Sequence, residues 1–325
     1  MPLLSSSSYR PPLLLRNRHA ATMFPSLFRK VKGLHYERER LDTPDGDFLD
    51  LDWVQAGNNR LVIGLHGLEG SADRSYIRGM MRHFHRNKWD CMGLNFRSCS
   101  GEMNRKLRVY HSGETGDIGW VIDQILERDQ YKEIVLVGFS MGANVALKYV
   151  GELGAKIPKA IRCVVAISAP CDLASCSTEL NKEGVNRIYL KRFMHYLNEK
   201  LAHKLEHFPG EISLPQDRMP KDFAEFDNWF TAPMHGFEDA EDYWARASSL
   251  PFLPNIHVPS LIINARNDTF LGEECYPYEI ADKHPLISLE VPRFGGHVGF
   301  AQFGTKGVYW SEQRALNFVS EKLYH

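Results

Sequence analysis

A serine framed by glycines carries the first chemical signal. Gly138-Phe139-Ser140-Met141-Gly142 fits the pattern G-x-S-x-G, directly after the apolar run Glu133 to Val137 and directly before the helix-forming segment Ala143 to Tyr149. Five residues of that pattern alone are weak evidence. Strand, sharp turn and helix in that order give them meaning, because such a turn lifts the hydroxyl above a sheet edge. The glycines allow the tight reversal and the close passage of neighbouring chain. The following helix N-terminus adds partial positive charge, which favours an anion near Ser140. The chemistry expected of that arrangement is nucleophilic attack on an acyl carbon.

A hydroxyl needs a base to take its proton. Of the 14 histidines, His297 stands out within Arg293-Phe294-Gly295-Gly296-His297-Val298-Gly299-Phe300, after the last strand signal and before the last helix signal. Glycine on both sides makes a loop able to bring an imidazole to the serine. An acid must orient that imidazole. Asp268 follows the apolar run Ser260 to Ala265, and Asp172 follows the run Val164 to Ala169. Asp268 is preferred, because it falls between serine and histidine after a late strand, and Asp172 reads as a turn residue. The developing oxyanion needs two backbone N–H donors. Met141, next to the serine, is one candidate. Leu68 in His66-Gly67-Leu68-Glu69-Gly70-Ser71 is the other, with His66 expected to orient that loop.

The elements that must position these residues alternate. Strand patterns cover Leu34 to Leu41, Phe48 to Trp53, Arg60 to Leu65, Trp89 to Phe96, Glu133 to Val137, Ala160 to Ala169, Ser260 to Ala265 and Ile287 to Val291. Helical spacing covers Tyr76 to Phe84, Ile118 to Leu126, Met141 to Leu153 and Gln313 to Leu323. Strand–helix alternation predicts a mostly parallel sheet with helices on both faces. In Phe48 to Trp53 the acids Asp50 and Asp52 alternate with leucines, which predicts a half-buried strand. Residues 173–250 carry no buried-type strand; they hold helical signals from Val185 to Leu205 and many aromatics, and are expected to form an inserted helical cap. The predicted organisation is an arm (1–33), a core in two pieces (34–172 and 251–325) and the cap (173–250).

The arm has an unusual composition. Residues 1–36 hold no acidic residue and six Lys or Arg, together with the serine run Ser5 to Ser8. A targeting peptide would have that composition. Pro2, Pro11, Pro12 and Pro25 should interrupt any amphipathic helix there, so an ordered or semi-ordered arm is expected instead. No apolar run is long enough for a membrane span. Over the whole chain, 39 Lys and Arg balance 40 Asp and Glu for a net charge of −1, which offers nothing to attract nucleic acid. The six cysteines show neither C-x-x-C pairs nor zinc-ligand spacing, so no metal is expected and a reducing, cytoplasmic setting fits.

These runs resemble one known group. Asn17-Arg18-His19, His66 to Gly70, Asn95 to Glu102, Tyr110 to Thr115, Gly138 to Asn144, Phe226 to Phe237 and Pro259 to Phe270 are similar to the YheT-like branch of the α/β-hydrolases. Fungal medium-chain ester synthase/esterases and animal phospholipid-acting hydrolases are related to that branch. The resemblance implies an α/β-hydrolase fold, esterase, lipase or acyl-transfer activity, and a triad of Ser140, Asp268 and His297. The chain order serine, aspartate, histidine is that of the fold. Two departures stand out. The animal members carry an N-terminal membrane anchor with no counterpart here, and Asn267 stands where the family often has a second aspartate beside Asp268.

The expected activity is hydrolysis of short to medium-chain acyl esters through an acyl-enzyme, with no cofactor and a small lipid-like ester as partner. Acyl transfer to an alcohol would use the same intermediate. A receptor with an idle triad on the same fold is the alternative outside enzymes.

Overall fold

The computed structural model describes residues 3–4, 6–215 and 218–324, so Pro2, Ser5 of the serine run, two residues of the expected cap and the terminal His325 lie outside it. The strands are β1 (Leu3–Leu4), β2 (Glu37–Asp42), β3 (Phe48–Val54), β4 (Arg60–Leu65), β5 (Asp90–Asn95), β6 (Glu133–Phe139), β7 (Ile161–Ile167), β8 (Ser260–Ile263) and β9 (Ile287–Glu290). They form one sheet in the order β1-β9-β8-β7-β6-β4-β5-β3-β2. β3 runs antiparallel to β2 and β5, and the other pairs are parallel.

Strands β4, β6 and β7 are rich in Val, Ile and Leu because both faces are covered. Leu136 and Ile63 belong to one apolar cluster, and Val135 and Val62 to a second on the opposite face. Each such side chain, fully buried, contributes roughly 1.5–3 kcal/mol. The helices are α1 (Arg18–Phe28), α2 (Ser75–Arg86), α3 (Gly116–Glu127), α4 (Met141–Leu153), α5 (Leu173–Asn181), α6 (Asn186–His207), α7 (Phe223–Phe226), α8 (Ala232–His235), α9 (Ala240–Ala247), α10 (Tyr278–Lys283) and α11 (Trp310–Tyr324). Helices α5 to α9 all fall between β7 and β8, and Asp227–Thr231 between α7 and α8 is a π-helical turn.

Two local expectations give way. β3 is buried on both faces rather than one, because it lies inside the sheet. Its acids are not solvated: Arg40 makes paired bonds of 2.8 Å to Asp50, and Arg38 bonds Asp52 at 2.7 and 2.9 Å. The second is the arm, which does contain a helix, α1, with Pro25 inside it. Asn17 starts that helix by accepting from the N–H groups of His19 and Ala20, which satisfies two otherwise orphaned donors. Proline forfeits one bond, to the carbonyl of Ala21. Tertiary packing holds that turn: Gly299 sits so near that a Cβ on it would stand 2.6 Å from the Ala21 oxygen.

Candidate active site

The turn after β6 is as sharp as its glycines suggested. Ser140 has φ +51°, a left-handed conformation that side-chain-bearing residues rarely adopt. A Cβ on Gly138 would stand 2.3 Å from the Gly142 carbonyl oxygen, and one on Gly142 would stand 2.4 Å from that of Leu65. Only glycine fits at either position, and strain of this kind persists where the surrounding fold over-determines it.

Three loops at the carboxyl edge of the sheet meet at this serine. The Ser140 Oγ lies 2.8 Å from His297 Nε2. His297 Nδ1 lies 3.0 Å from both carboxylate oxygens of Asp268. A carboxylate there only accepts, so Nδ1 carries the proton and Nε2 is free to accept from the serine hydroxyl. Asp268 Oδ1 also accepts the Phe270 N–H at 2.9 Å, and the Phe270 ring packs 4.2 Å from the imidazole. Asp172 lies elsewhere: its carboxylate caps α5 by accepting the Ser175 N–H at 2.8 Å.

The loop after β4 is held firmly. Buried His66 accepts the Phe96 N–H on Nε2 and donates from Nδ1 to the Gly67 carbonyl at 2.8 Å. Burial pushes its pKa down to about 3, so it stays neutral. The Gly67 N–H donates to the Tyr76 hydroxyl, that of Glu69 to the Tyr110 hydroxyl, and that of Gly70 to the Gly67 carbonyl. Among the described residues this leaves the Leu68 N–H without a partner. The Met141 N–H belongs to the first turn of α4, where no helical carbonyl can accept it. Leu68, Met141, Ser140 and His297 line one cavity.

That inner cavity, about 120 Å³ in volume, is roofed by the helices between β7 and β8. Its walls are mostly apolar, with Leu173, Leu180, Phe193, Leu197, Phe226 and Phe230 among them. Two carboxyl groups interrupt them, Glu69, which pairs with Lys200 at 2.9 Å, and Asp227. Asp227 accepts from Thr231 Oγ1 at 2.7 Å and from Trp244 Nε1 at 2.8 Å, and burial pushes its pKa up to about 7. A second, outer cavity touches Ser140 and His297 from the side of α1 and the start of α6.

Sequence reasoning missed the supports of the histidine loop. Thr22 of α1 accepts the His297 N–H at 2.9 Å, and Ser168 accepts the Val298 N–H at 3.0 Å. Asn267 accepts the Gly296 N–H at 3.0 Å and donates to the Arg16 carbonyl. Arg18 reaches the Asp268 carbonyl at 3.3 Å. The only hint in the sequence was Asn17-Arg18-His19, which marks the helix start and not what the helix touches.

Among the described residues one group has the spacing of metal ligands: His111, Glu114 and His235, with donor atoms within 4.8 Å of one another. It fits a metal poorly. Glu114 is bonded to Arg108 and accepts from the N–H groups of Gly116 and Asp117, while His111 Nδ1 accepts from Gly113 N–H.

Comparison with known proteins gives a consistent picture. Residues 60–302 match the family model described as alpha/beta hydrolase fold. The Escherichia coli (strain K12) protein YheT, an esterase by name, is 35% identical over 302 residues, covering 91% of this chain and 88% of its own. Human phospholipase ABHD3 is 26% identical over 91% of this chain and 74% of its own. Among solved structures, the Pyrococcus furiosus esterase Pf2001 shares the fold, with a TM-score of 0.60 at 21% identity, covering 98% of this chain and 99% of its own.

Proposed function

The chain belongs to the α/β-hydrolase fold family, in its YheT-like branch, and from that premise we propose that it is a serine esterase acting on short to medium-chain acyl esters through an acyl-enzyme. The observation that carries the reading is the unbroken chain of contacts Ser140–His297–Asp268 at a strained turn between two cavities. Ser140 Oγ attacks the ester carbonyl while its proton passes to His297 Nε2. Asp268 holds the imidazole in the accepting tautomer and stabilises its positive charge. The Leu68 and Met141 N–H groups receive the oxyanion, each donor being worth about 3–4 kcal/mol of barrier. The C–O bond to the alcohol breaks as His297 returns the proton to the leaving oxygen. Water, deprotonated by the same imidazole, then attacks the acyl-enzyme and frees the acid and Ser140.

Helices α5 to α9 act as the cap, and the inner cavity takes the acyl chain because its walls are hydrocarbon and aromatic. Two measurements test the reading. The wild-type chain should be labelled by a fluorophosphonate probe, and Ser140→Ala should abolish both labelling and ester hydrolysis while leaving the fold intact. Activity above about 1% of wild type in that variant would remove Ser140 from the mechanism.

A further inference from the structure

The arm concentrates exposed apolar surface. Among the described residues ten large apolar side chains are exposed, and five of them, Leu13, Leu14, Met23, Leu27 and Phe28, belong to the arm. The patch continues onto neighbours. Met23 and Leu27 line the outer cavity together with exposed Ile188 at the start of α6. Phe28 packs on Phe24 at 5.3 Å, and Phe24 on exposed Phe303 at 6.0 Å. On α1, Met23 and Leu27 lie one helical turn apart and both are exposed, so this face of the helix presents apolar side chains outward.

The same segment carries six cations and no acid through residue 36. Among the described residues only Arg29 of these reaches a carboxylate, Glu312 at 2.5 Å. Arg10, Arg16, Arg18, Lys30 and Lys32 have no acidic partner among the described residues. The outer cavity opens within this patch and leads to Ser140 and His297.

We propose that this face docks on an anionic lipid surface, with the mouth of the outer cavity turned toward the lipid. Apolar side chains standing proud of a basic fringe are what an interfacial helix needs: the first enter the headgroup boundary and the second pair with acidic lipid. A second copy of the chain is a poor occupant. A two-fold contact on this face would set the cations against themselves. The geometry also gives the docking a use, since an ester lifted from the surface would meet the serine through the nearer opening.

The test is co-sedimentation of the full chain with vesicles of phosphatidylcholine, alone or mixed with phosphatidylglycerol. Wild type should bind the mixed vesicles at least about tenfold more tightly than the neutral ones, and added salt should weaken the binding. Phe28→Asp with Lys32→Glu should lose about tenfold in that binding while hydrolysing dissolved p-nitrophenyl butyrate within about twofold of wild type, since neither residue lines either cavity. Lys32→Gln alone should give a smaller loss of the same sign. Equal binding to both vesicle types, no binding, or full binding by the double variant overturns the proposal. So does a wild-type dimer that the double variant splits, which would make the face a contact between copies. Ser140→Ala should bind vesicles as wild type does, so the docking and the esterase reading stand or fall separately.

Discussion

Two aspartates follow strands and each accepts a backbone N–H one turn on, yet only one reaches an imidazole. Asp268 spends both oxygens on His297, and Asp172 spends one on the start of α5. Asp268→Asn keeps the shape but loses the charge and favours the wrong tautomer. It should lose on the order of 10³ to 10⁴ in turnover with little change in melting temperature. Asp172→Asn should lose less than about tenfold in steady-state turnover. The reverse result would place the acid after β7. At this scale the sequence was readable because each residue sits in a short, self-contained pattern. Ser140 has its glycines, His297 has its own, and chain order puts forward Asp268, the aspartate that meets the imidazole. The Leu68 N–H was legible only in part: that its neighbours' donors are taken, by Tyr76, Tyr110 and a turn, depends on contacts between distant segments.

Elements were legible where their pattern is local and illegible where packing overrides it. Pro25 argued against a helix in the arm, but a lost bond can be outweighed by the contacts of Leu15 and Phe24 with Ala301 and Tyr309. α1 then supports the site through the Arg18 guanidinium, on the Asp268 carbonyl, and through the Thr22 hydroxyl, on the His297 N–H. Thr22→Val should leave the His297 N–H unpaired, at a cost of about 1–3 kcal/mol. Turnover should fall roughly tenfold with KM nearly unchanged, and Thr22→Ser should restore it. A fall in stability with turnover intact would make Thr22 a packing residue only. The π-helical turn gives another test. Burial holds Asp227 protonated up to about pH 7 in the fold, whereas an exposed aspartate ionises near 3.8. Protonated when folded and ionised when unfolded, it lowers stability as pH rises from about 4 to about 7. Asp227→Asn keeps partners for Thr231 and Trp244 and removes that dependence. The variant's stability relative to wild type should improve between pH 5 and pH 8 by up to about 3 kcal/mol, measured by urea unfolding. A flat difference would mean that the carboxyl ionises normally.

Over the whole molecule, the sheet was readable from the alternation of apolar runs, whereas the cavity was not, because its walls come from residues as far apart as Leu68, Leu197 and His297. An apolar chamber of finite depth predicts a maximum in a p-nitrophenyl ester series. Hydrolysis should rise from acetyl toward medium chains and fall for long ones, and equal rates throughout would count against an acyl site under the cap.

The contacts of the arm also set a timetable. Thr22 meets His297 across 275 positions of chain, and Trp310 donates to Ser8 across 302. During synthesis at roughly 5–20 residues per second, the threonine therefore waits about 14 to 55 s for its histidine. Ser140 and its turn are made long before that, on a nascent chain that still lacks the base, the acid and the last two sheet partners. On the proposed mechanism the growing chain stays inert toward esters until it is almost finished, and the first-made segment is among the last to settle.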